Sequence, residues 1–191
     1  LKACVRNIDQ SAKQVLFFTG NRSISWNAVN VAEALSQLVS LIQRLLGEDI
    51  ELQMALDENL WPVRGDVTQL ENVILPLVAN ARDSMPIGGV VQVMARNVSK
   101  DRYETKGVLA AGDYVLIEIA DNGFGIAKNI QERVFKPFVS SKGSDGFGLA
   151  KVFSTVNNLN GQITFESRPE RGTKFSVLLP RLRTGQASSR G

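Results

Sequence analysis

Asp121-Asn122-Gly123-Phe124-Gly125-Ile126 follows an alternating apolar run, Tyr114-Val115-Leu116-Ile117-Glu118-Ile119-Ala120. The alternation predicts a strand, which puts Asp121 at a strand end with a glycine-rich turn behind it. A carboxylate in that place can accept a hydrogen bond from an exocyclic amine such as that of adenine, and two residues without side chains let the backbone lie against a flat ring. The stretch therefore reads either as the floor of a purine pocket or as an ordinary Asp-Asn-Gly hairpin turn. The neighbouring segments bear on the choice.

The chain of 191 residues is 43% hydrophobic and 21% charged, enough for one globular domain with a full core and a short appendage. A single cysteine, Cys4, argues for a reducing, cytoplasmic setting and leaves no His/Cys cluster for zinc or iron. Histidine is absent, which excludes a histidine base and a phospho-accepting histidine within these residues. The net charge of +3 is modest and scattered apart from Arg181, Arg183 and Arg190, so no nucleic-acid stripe is expected. Apolar runs break well short of about twenty residues, so no membrane contact is expected from this piece.

Taken in order, Leu1, Val5, Ile8, Ala12 and Val15 recur at helical spacing as a seam for partner helices. Gly20 to Asn30 is a polar joint. From Val31 the set Ala34, Leu35, Leu38, Leu41, Ile42, Leu45 and Leu46 predicts an amphipathic helix ended by Gly47. Ile50 to Leu56 alternates as a strand, with a second short strand near Trp61 to Arg64. Asp66 and Gln69 form a capping-box pattern opening a helix towards Met85, with Val67, Leu70, Ile74, Leu77, Val78 and Ala81 on its buried face. Asn80, Asp83 and Ser84 fall on another face, three and four residues apart, and either point together into one cleft or form solvated helix surface. An Asn amide oxygen beside phosphates suits Mg²⁺. Val90 to Val98 reads as a strand, and a polar loop over Lys100 to Gly112 leads to the strand before Asp121.

Beyond the opening motif, Phe135-Lys136-Pro137-Phe138 precedes Gly143-Ser144-Asp145-Gly146-Phe147-Gly148-Leu149. Leu149, Val152, Phe153, Val156 and Leu159 predict a helix starting at about Gly148, whose free N–H groups and dipole suit an anion such as a phosphate. Gln162 to Ser167 and Thr173 to Leu179 predict a hairpin whose turn contains Pro169 and Gly172, and residues 181–191 read as a disordered tail.

Asn80 on a helix, Asp121-x-Gly-x-Gly, Phe135-x-Pro-Phe138 and Gly146-x-Gly148-Leu149 stand in that order, joined by Gly172-Thr173-Lys174-Phe175 and Leu179-Pro180. Together they resemble the catalytic ATP-binding domain of two-component sensor histidine kinases, in the superfamily of gyrase, chaperone, kinase and MutL ATPases. Asn80 to Gly89 resembles the version in hybrid kinases of phosphorelays. The resemblance covers about Val31 to Pro180, and Leu1 to about Gly20 resembles the end of a dimerisation helix.

The resemblance implies the Bergerat fold, a two-layer α/β sandwich with a mixed sheet of about five strands and helices on one face. It implies ATP and Mg²⁺ as cofactors, with Asn80 holding the metal, Asp121 accepting from the adenine amino group, and Gly123 and Gly125 letting the ring approach. Asp83, Ile126, Phe138 and Leu149 would line the nucleotide site and Thr173 would support the adenine hydrogen bonds. Phe135 to Phe138 would anchor a lid over roughly Val139 to Ser144, with Lys142 and the amides of Gly146 and Gly148 at the phosphates. The implied partners are ATP or ADP, an upstream phosphoacceptor histidine domain, a response-regulator receiver, and a second copy of the chain through the N-terminal helix.

Four residues depart from the family pattern. Pro76 stands where the family carries Asn, or in related ATPases Glu, one turn before the metal Asn; Ser144, Asp145 and Phe147 replace the first, second and fourth members of the second glycine box. These departures favour an alternative, a non-catalytic module that docks a receiver or other partner, while an ATPase clamp of the gyrase or MutL kind fits Phe135-x-Pro-Phe138 less well. Two unit charges about 4 Å apart at an effective dielectric near 20 interact by about 4 kcal/mol, so an inward Asp145 weakens ATP relative to ADP. The expectation is that ADP binds at least as well as ATP and that Asp145→Thr raises the ATP-to-ADP affinity ratio. Calorimetry on both nucleotides decides it, and a preference for ATP that the substitution leaves unchanged counts against it.

Overall fold

A computed structural model describes residues 27–101, 109–137 and 147–183. The elements are β1 (Asn27–Val29), α1 (Val31–Leu46), β2 (Ile50–Leu56), β3 (Val63–Gly65), α2 (Val67–Asp83), β4 (Gly89–Lys100), β5 (Gly112–Asp121), α3 (Lys128–Gln131), α4 (Gly148–Asn158), β6 (Gln162–Ser167) and β7 (Thr173–Pro180). The N-terminal helix expected over Leu1 to Gly20 lies outside the described residues.

Local chemistry sets the helix ends. The Asn30 side chain accepts from the Glu33 N–H at 3.2 Å to start α1, and Gly47, at φ +80°, ends it by donating to the Gln43 carbonyl. At α2 the expected capping box forms: Asp66 Oδ1 accepts from the Thr68 N–H at 2.7 Å and Gln69 Oε1 accepts from the Asp66 N–H at 3.1 Å. Apolar faces follow the helical period with two corrections. Leu41 of α1 is 44% exposed and Val67 of α2 is 38% exposed, each at the rim of its stripe, while Val73 takes an interior place in α2.

Five strands form one mixed sheet in the order β2-β4-β5-β7-β6, and β1 and β3 form a separate antiparallel pair. β2 runs parallel to β4, the crossover passing through β3 and α2, and the remaining pairs are antiparallel. Inward residues Val91, Val93, Val115, Ile117, Ile119, Phe175 and Val177 join Leu35, Ile42, Leu70, Ile74, Leu77 and Val152 in one core, which puts α1, α2 and α4 on the same face of the sheet. The opposite face carries charge: Glu118 meets Lys174 at 3.6 Å and Arg96 at 3.9 Å, and Lys174 meets Glu166 at 3.4 Å. With Arg96, Lys174 and Glu166 open to solvent these pairs add little stability, so the buried face supplies most of it. The two-layer sandwich expected from the sequence is the fold observed.

Both ends of the folded unit extend past the predicted boundaries. The expected joint holds β1, because Val29 is buried and Asn27 to Val29 pair with Val63 to Gly65. The expected tail is anchored at its start: the Arg181 N–H donates to the Asp113 carbonyl at 3.0 Å, and its guanidinium lies 4.6 Å from the centre of the Trp61 ring and 3.3 Å from Asp113 Oδ2. The short strand expected at Trp61 to Arg64 sits at Val63–Gly65, displaced by Pro62, which has no N–H to give.

Pro76 lies inside α2, so the helix forgoes the bond from position 76 to the Asn72 carbonyl. Pro76→Ala should raise the unfolding free energy by about 1–3 kcal/mol, the order of the interior-proline penalty. Urea denaturation of both proteins measures it, and an unchanged midpoint would show that the surrounding packing already absorbs the cost.

Candidate functional site

Asp121 is the last residue of β5, in register with Val91 of β4 and with Thr173, the first residue of β7. Its Oδ1 accepts from the Gly123 N–H at 2.9 Å, the Ser84 hydroxyl at 2.9 Å and the Thr173 N–H at 3.3 Å. Those donors come from the turn, the end of α2 and the neighbouring strand. Burial pushes the Asp121 carboxyl above its ordinary value, and the three hydrogen bonds oppose that rise. The Gly123 bond spans two residues and closes an Asx turn, so the chain does not reverse into a hairpin here but runs on to α3.

The glycines after Asp121 are accounted for by packing within the protein, a reason not visible in the sequence. A Cβ at Gly123 would strike the Oγ, carbonyl oxygen and carbonyl carbon of Ser84; one at Gly125, where φ is +70°, would strike the Arg168 carbonyl. The Phe124 N–H donates to the Ser84 carbonyl at 3.1 Å, so the turn is stitched to the end of α2. Ile126 donates its N–H to Ser167 Oγ at 2.7 Å and packs its side chain on the core.

Thr173 is the one buried polar side chain of the described core, and its Oγ1 lies 3.0 Å from Ser167 Oγ. Ser167 is a site residue that sequence reading missed. It accepts from Ile126, contacts Thr173 and lies 3.2 Å from the Gly172 carbonyl, coupling the turn to both strands of the β6–β7 hairpin. Only its register opposite Thr173 marks it, and that register appears once the hairpin is built.

Asn80, Asp83 and Ser84 do not share one cleft. Ser84 meets Asp121, whereas Asp83 is exposed, bonded to Arg82 at 2.6 Å, and lines a separate open cleft with Leu46, Asp49, Ile50, Met85 and Gly88. The three positions differ by about 100° per residue around the helix, so neighbours 83 and 84 diverge. Asn80 Nδ2 is the one buried side-chain nitrogen or oxygen without a hydrogen-bond partner among the described residues. An unpaired buried amide costs roughly 1–3 kcal/mol, and a carboxamide turned over presents its oxygen at the same place. That donor set fits a hard cation which takes its other ligands from phosphate oxygens and water, since no group of three or more His, Cys, Asp or Glu side chains among the described residues could hold a metal alone.

α4 starts at Gly148 without a side-chain cap, unlike α1 and α2, so its first N–H groups are not claimed by a capping side chain. A Cβ at Gly148 would lie 3.9 Å from Pro76 Cβ, which places the proline's apolar ring at the mouth of α4. One turn further out, Lys151 Nζ donates to Asn72 Oδ1 at 2.7 Å and ties α4 to α2. Leu149 packs partly on the core, and Phe135 stacks on Phe153 with ring centres 5.4 Å apart and meets Phe165 and Phe175 edge-on. Phe138, Lys142, Ser144, Asp145 and Gly146 lie outside the described residues.

A mixed sheet backed by helices carries a pinned acidic strand end, at Asp121, and a buried amide nitrogen without a partner among the described residues, at Asn80. Residues 65–183 match the family of histidine kinase-, DNA gyrase B- and HSP90-like ATPases, and the chain belongs to that family. Its relatives include the sensor kinase CckA of Brucella abortus, 34% identical over 93% of this chain and 20% of that protein, and the sensory histidine kinase/phosphatase NtrB of Azospirillum brasilense, 29% identical over 90% and 43%. The chain thus spans less than half the length of either relative. In fold it is similar to the mycobacterial sensor histidine kinase MprB, with a TM-score of 0.67 at 24% identity over 82% of this chain and 97% of that one. Full-length ShkA in complex with AMPPNP gives a TM-score of 0.69 at 22% identity, over 94% of this chain and 38% of that one. The chain is an ATP-binding domain of the sensor histidine kinase type.

A carboxyl whose folded pKa is raised above the ordinary 3.8 favours the folded state in its protonated form. That contribution is full below about 3.8, is lost as pH rises through the raised value, and leaves the ionised group a net cost at neutral pH. Asp121→Asn keeps an acceptor for the same three donors without the charge. It should raise the melting temperature at pH 7, with a smaller gain near pH 4; equal shifts at both values in thermal unfolding would show no differential titration.

Proposed function

We propose that this chain binds ATP with Mg²⁺ and serves as the kinase domain of a longer, phosphorelay-type sensor kinase, presenting the γ-phosphoryl group to a histidine on another domain. The observation that carries the reading is the Asp121 carboxylate: Oδ1 is held by three protein donors, and no described group donates to Oδ2. An acceptor so placed suits the adenine 6-amino group, with Thr173 and Ser167 buttressing the strand beside it. Asn80 would hold the metal through its amide oxygen, and Mg²⁺ when bound would neutralise charge on the phosphoryl oxygens. The uncapped N–H groups at Gly148 would orient the phosphates, Lys142 would add positive charge there, and the Phe135 cluster would fix the base of the lid. Asp83, paired with Arg82, would serve at most the rim. The same proposal includes dimerisation through residues 1–20, docking of a response-regulator receiver, and action in the cytoplasm; no helix among the described residues is long and apolar enough to cross a membrane.

Pro76 favours a second reading, a domain that binds nucleotide and docks its partner with little phosphoryl transfer. Its ring stands at the mouth of α4 where the resemblance places a polar side chain, and it offers nothing to polarise a phosphoryl oxygen or orient a nucleophile. Both readings share the adenine pocket and differ in turnover.

Titration calorimetry tests the shared part. ATP should bind more tightly than GTP, Asp121→Ala should abolish that preference at a cost of about 1–3 kcal/mol in ATP affinity, and Asn80→Ala should remove the gain in affinity from Mg²⁺. Equal affinity of the unaltered protein for ATP and GTP would sink the proposal.

A further inference from the structure

Of the three donors to Asp121 Oδ1, two are backbone N–H groups that the turn and strand pairing supply whatever the side chains are. The third is the Ser84 hydroxyl, the only side-chain donor among them. Ser84 is built into its place from both ends. Its single hydroxyl hydrogen is shared between the Ala81 carbonyl one turn back in α2, at 2.7 Å, and Asp121 Oδ1, at 2.9 Å, and its carbonyl accepts the Phe124 N–H at 3.1 Å. Gly123 has no Cβ, and a Cβ there would occupy the space of the Ser84 hydroxyl, so the two positions fit as a pair.

A carboxylate attached by a freely turning bond can offer either oxygen, or take up a proton and become a donor. With Oδ1 engaged by α2, the turn and β7 together, the side chain cannot exchange its oxygens, and Oδ2, to which no described group donates, is the oxygen left for a ligand. A 6-amino group donates to such an oxygen; a 6-oxo group, with only lone pairs to offer, is repelled by it. Removing one of the three donors frees rotation and makes protonation easier, and a protonated carboxyl accommodates the 6-oxo group by donating to it.

We infer that Ser84 is a positioning residue that sets 6-amino over 6-oxo purine selectivity by holding Asp121 as an ionised acceptor with Oδ2 outward. The inference rests on the proposed adenine site. Discrimination here comes from the wrong partner facing an acceptor it cannot satisfy, which a looser carboxylate forgives.

The probe is the pair ATP and ITP, which share ribose and triphosphate and lack the 2-amino group of GTP, so the ratio of their affinities reads the 6-substituent together with the N1 it sets, an acceptor in ATP and an N–H in ITP. Calorimetry is run on the unaltered protein, Ser84→Ala and Ser84→Thr, well below each melting midpoint. The expected result is an ATP-to-ITP ratio that falls roughly five- to tenfold in Ser84→Ala and is largely kept in Ser84→Thr, where a hydroxyl remains. A merely structural role would weaken both nucleotides alike and leave the ratio unchanged, which overturns the inference, as does a Thr variant that behaves like Ala. An unaltered protein that binds ITP as tightly as ATP overturns the adenine site itself; a strong wild-type ratio that survives Ser84→Ala overturns only the role of Ser84.

Discussion

The organisation of the site depends on one carboxylate oxygen. Asp121 Oδ1 gathers donors from the end of α2, from its own turn and from the start of β7, three segments that are distant in sequence. A neutral acceptor could take the same geometry with less desolvation cost, so the choice of Asp makes sense only if its charge is used. Burial raising the carboxyl while three donors lower it is the signature of that compromise. Backbone packing supports it closely: Gly172, at φ +79°, lies where a Cβ would strike the Asp121 carbonyl, and Gly123 lies against Ser84. The glycine-rich turn is therefore as much a joint between α2, β5 and β7 as a surface for a ligand.

Elements whose signal is local could be read from the sequence. α1 has an Asn cap, a four-turn apolar stripe and a terminal glycine within one window, and β2 and the β6–β7 hairpin show a period of two over their full lengths. The Asp66–Gln69 capping box was equally legible because both partners lie three residues apart. β1 was missed because three residues, Asn27-Ala28-Val29, carry no period, and their pairing with Val63–Gly65 depends on contacts more than thirty residues away. The anchoring of Arg181 by Trp61 and Asp113 was hidden for the same reason.

The site divides along the same line. Asp121 and Asn80 were singled out from motif order, and Asp121 stands at the strand end that alternation placed it on. What the motif could not give was the partner of each group. Asp83 and Ser84 were grouped by spacing alone, yet adjacent helical residues diverge enough that one pairs with Arg82 and the other with Asp121. Ser167 carries no motif and acts through a register that exists only after the hairpin forms.

The two ends of the proposed site, adenine at Asp121 and phosphate at Asn80 and α4, are built to different standards of satisfaction. At the first, Asp121, Ser84, Thr173 and Ser167 bond to one another and to their strands, and no described group donates to Asp121 Oδ2. At the second, Asn80 Nδ2 is buried without a partner among the described residues, α4 opens without a side-chain cap, and Pro76 sets its ring beside Gly148. A protein tolerates an orphaned amide and an uncapped helix when a ligand satisfies them, because each alone costs on the order of 1 kcal/mol or more. Proline is different in kind, since no ligand restores its missing N–H. The adenine end is thus preorganised by the chain, and the phosphate end depends on what binds there. Under the proposed function, Pro76 would bear on group transfer and not on adenine binding.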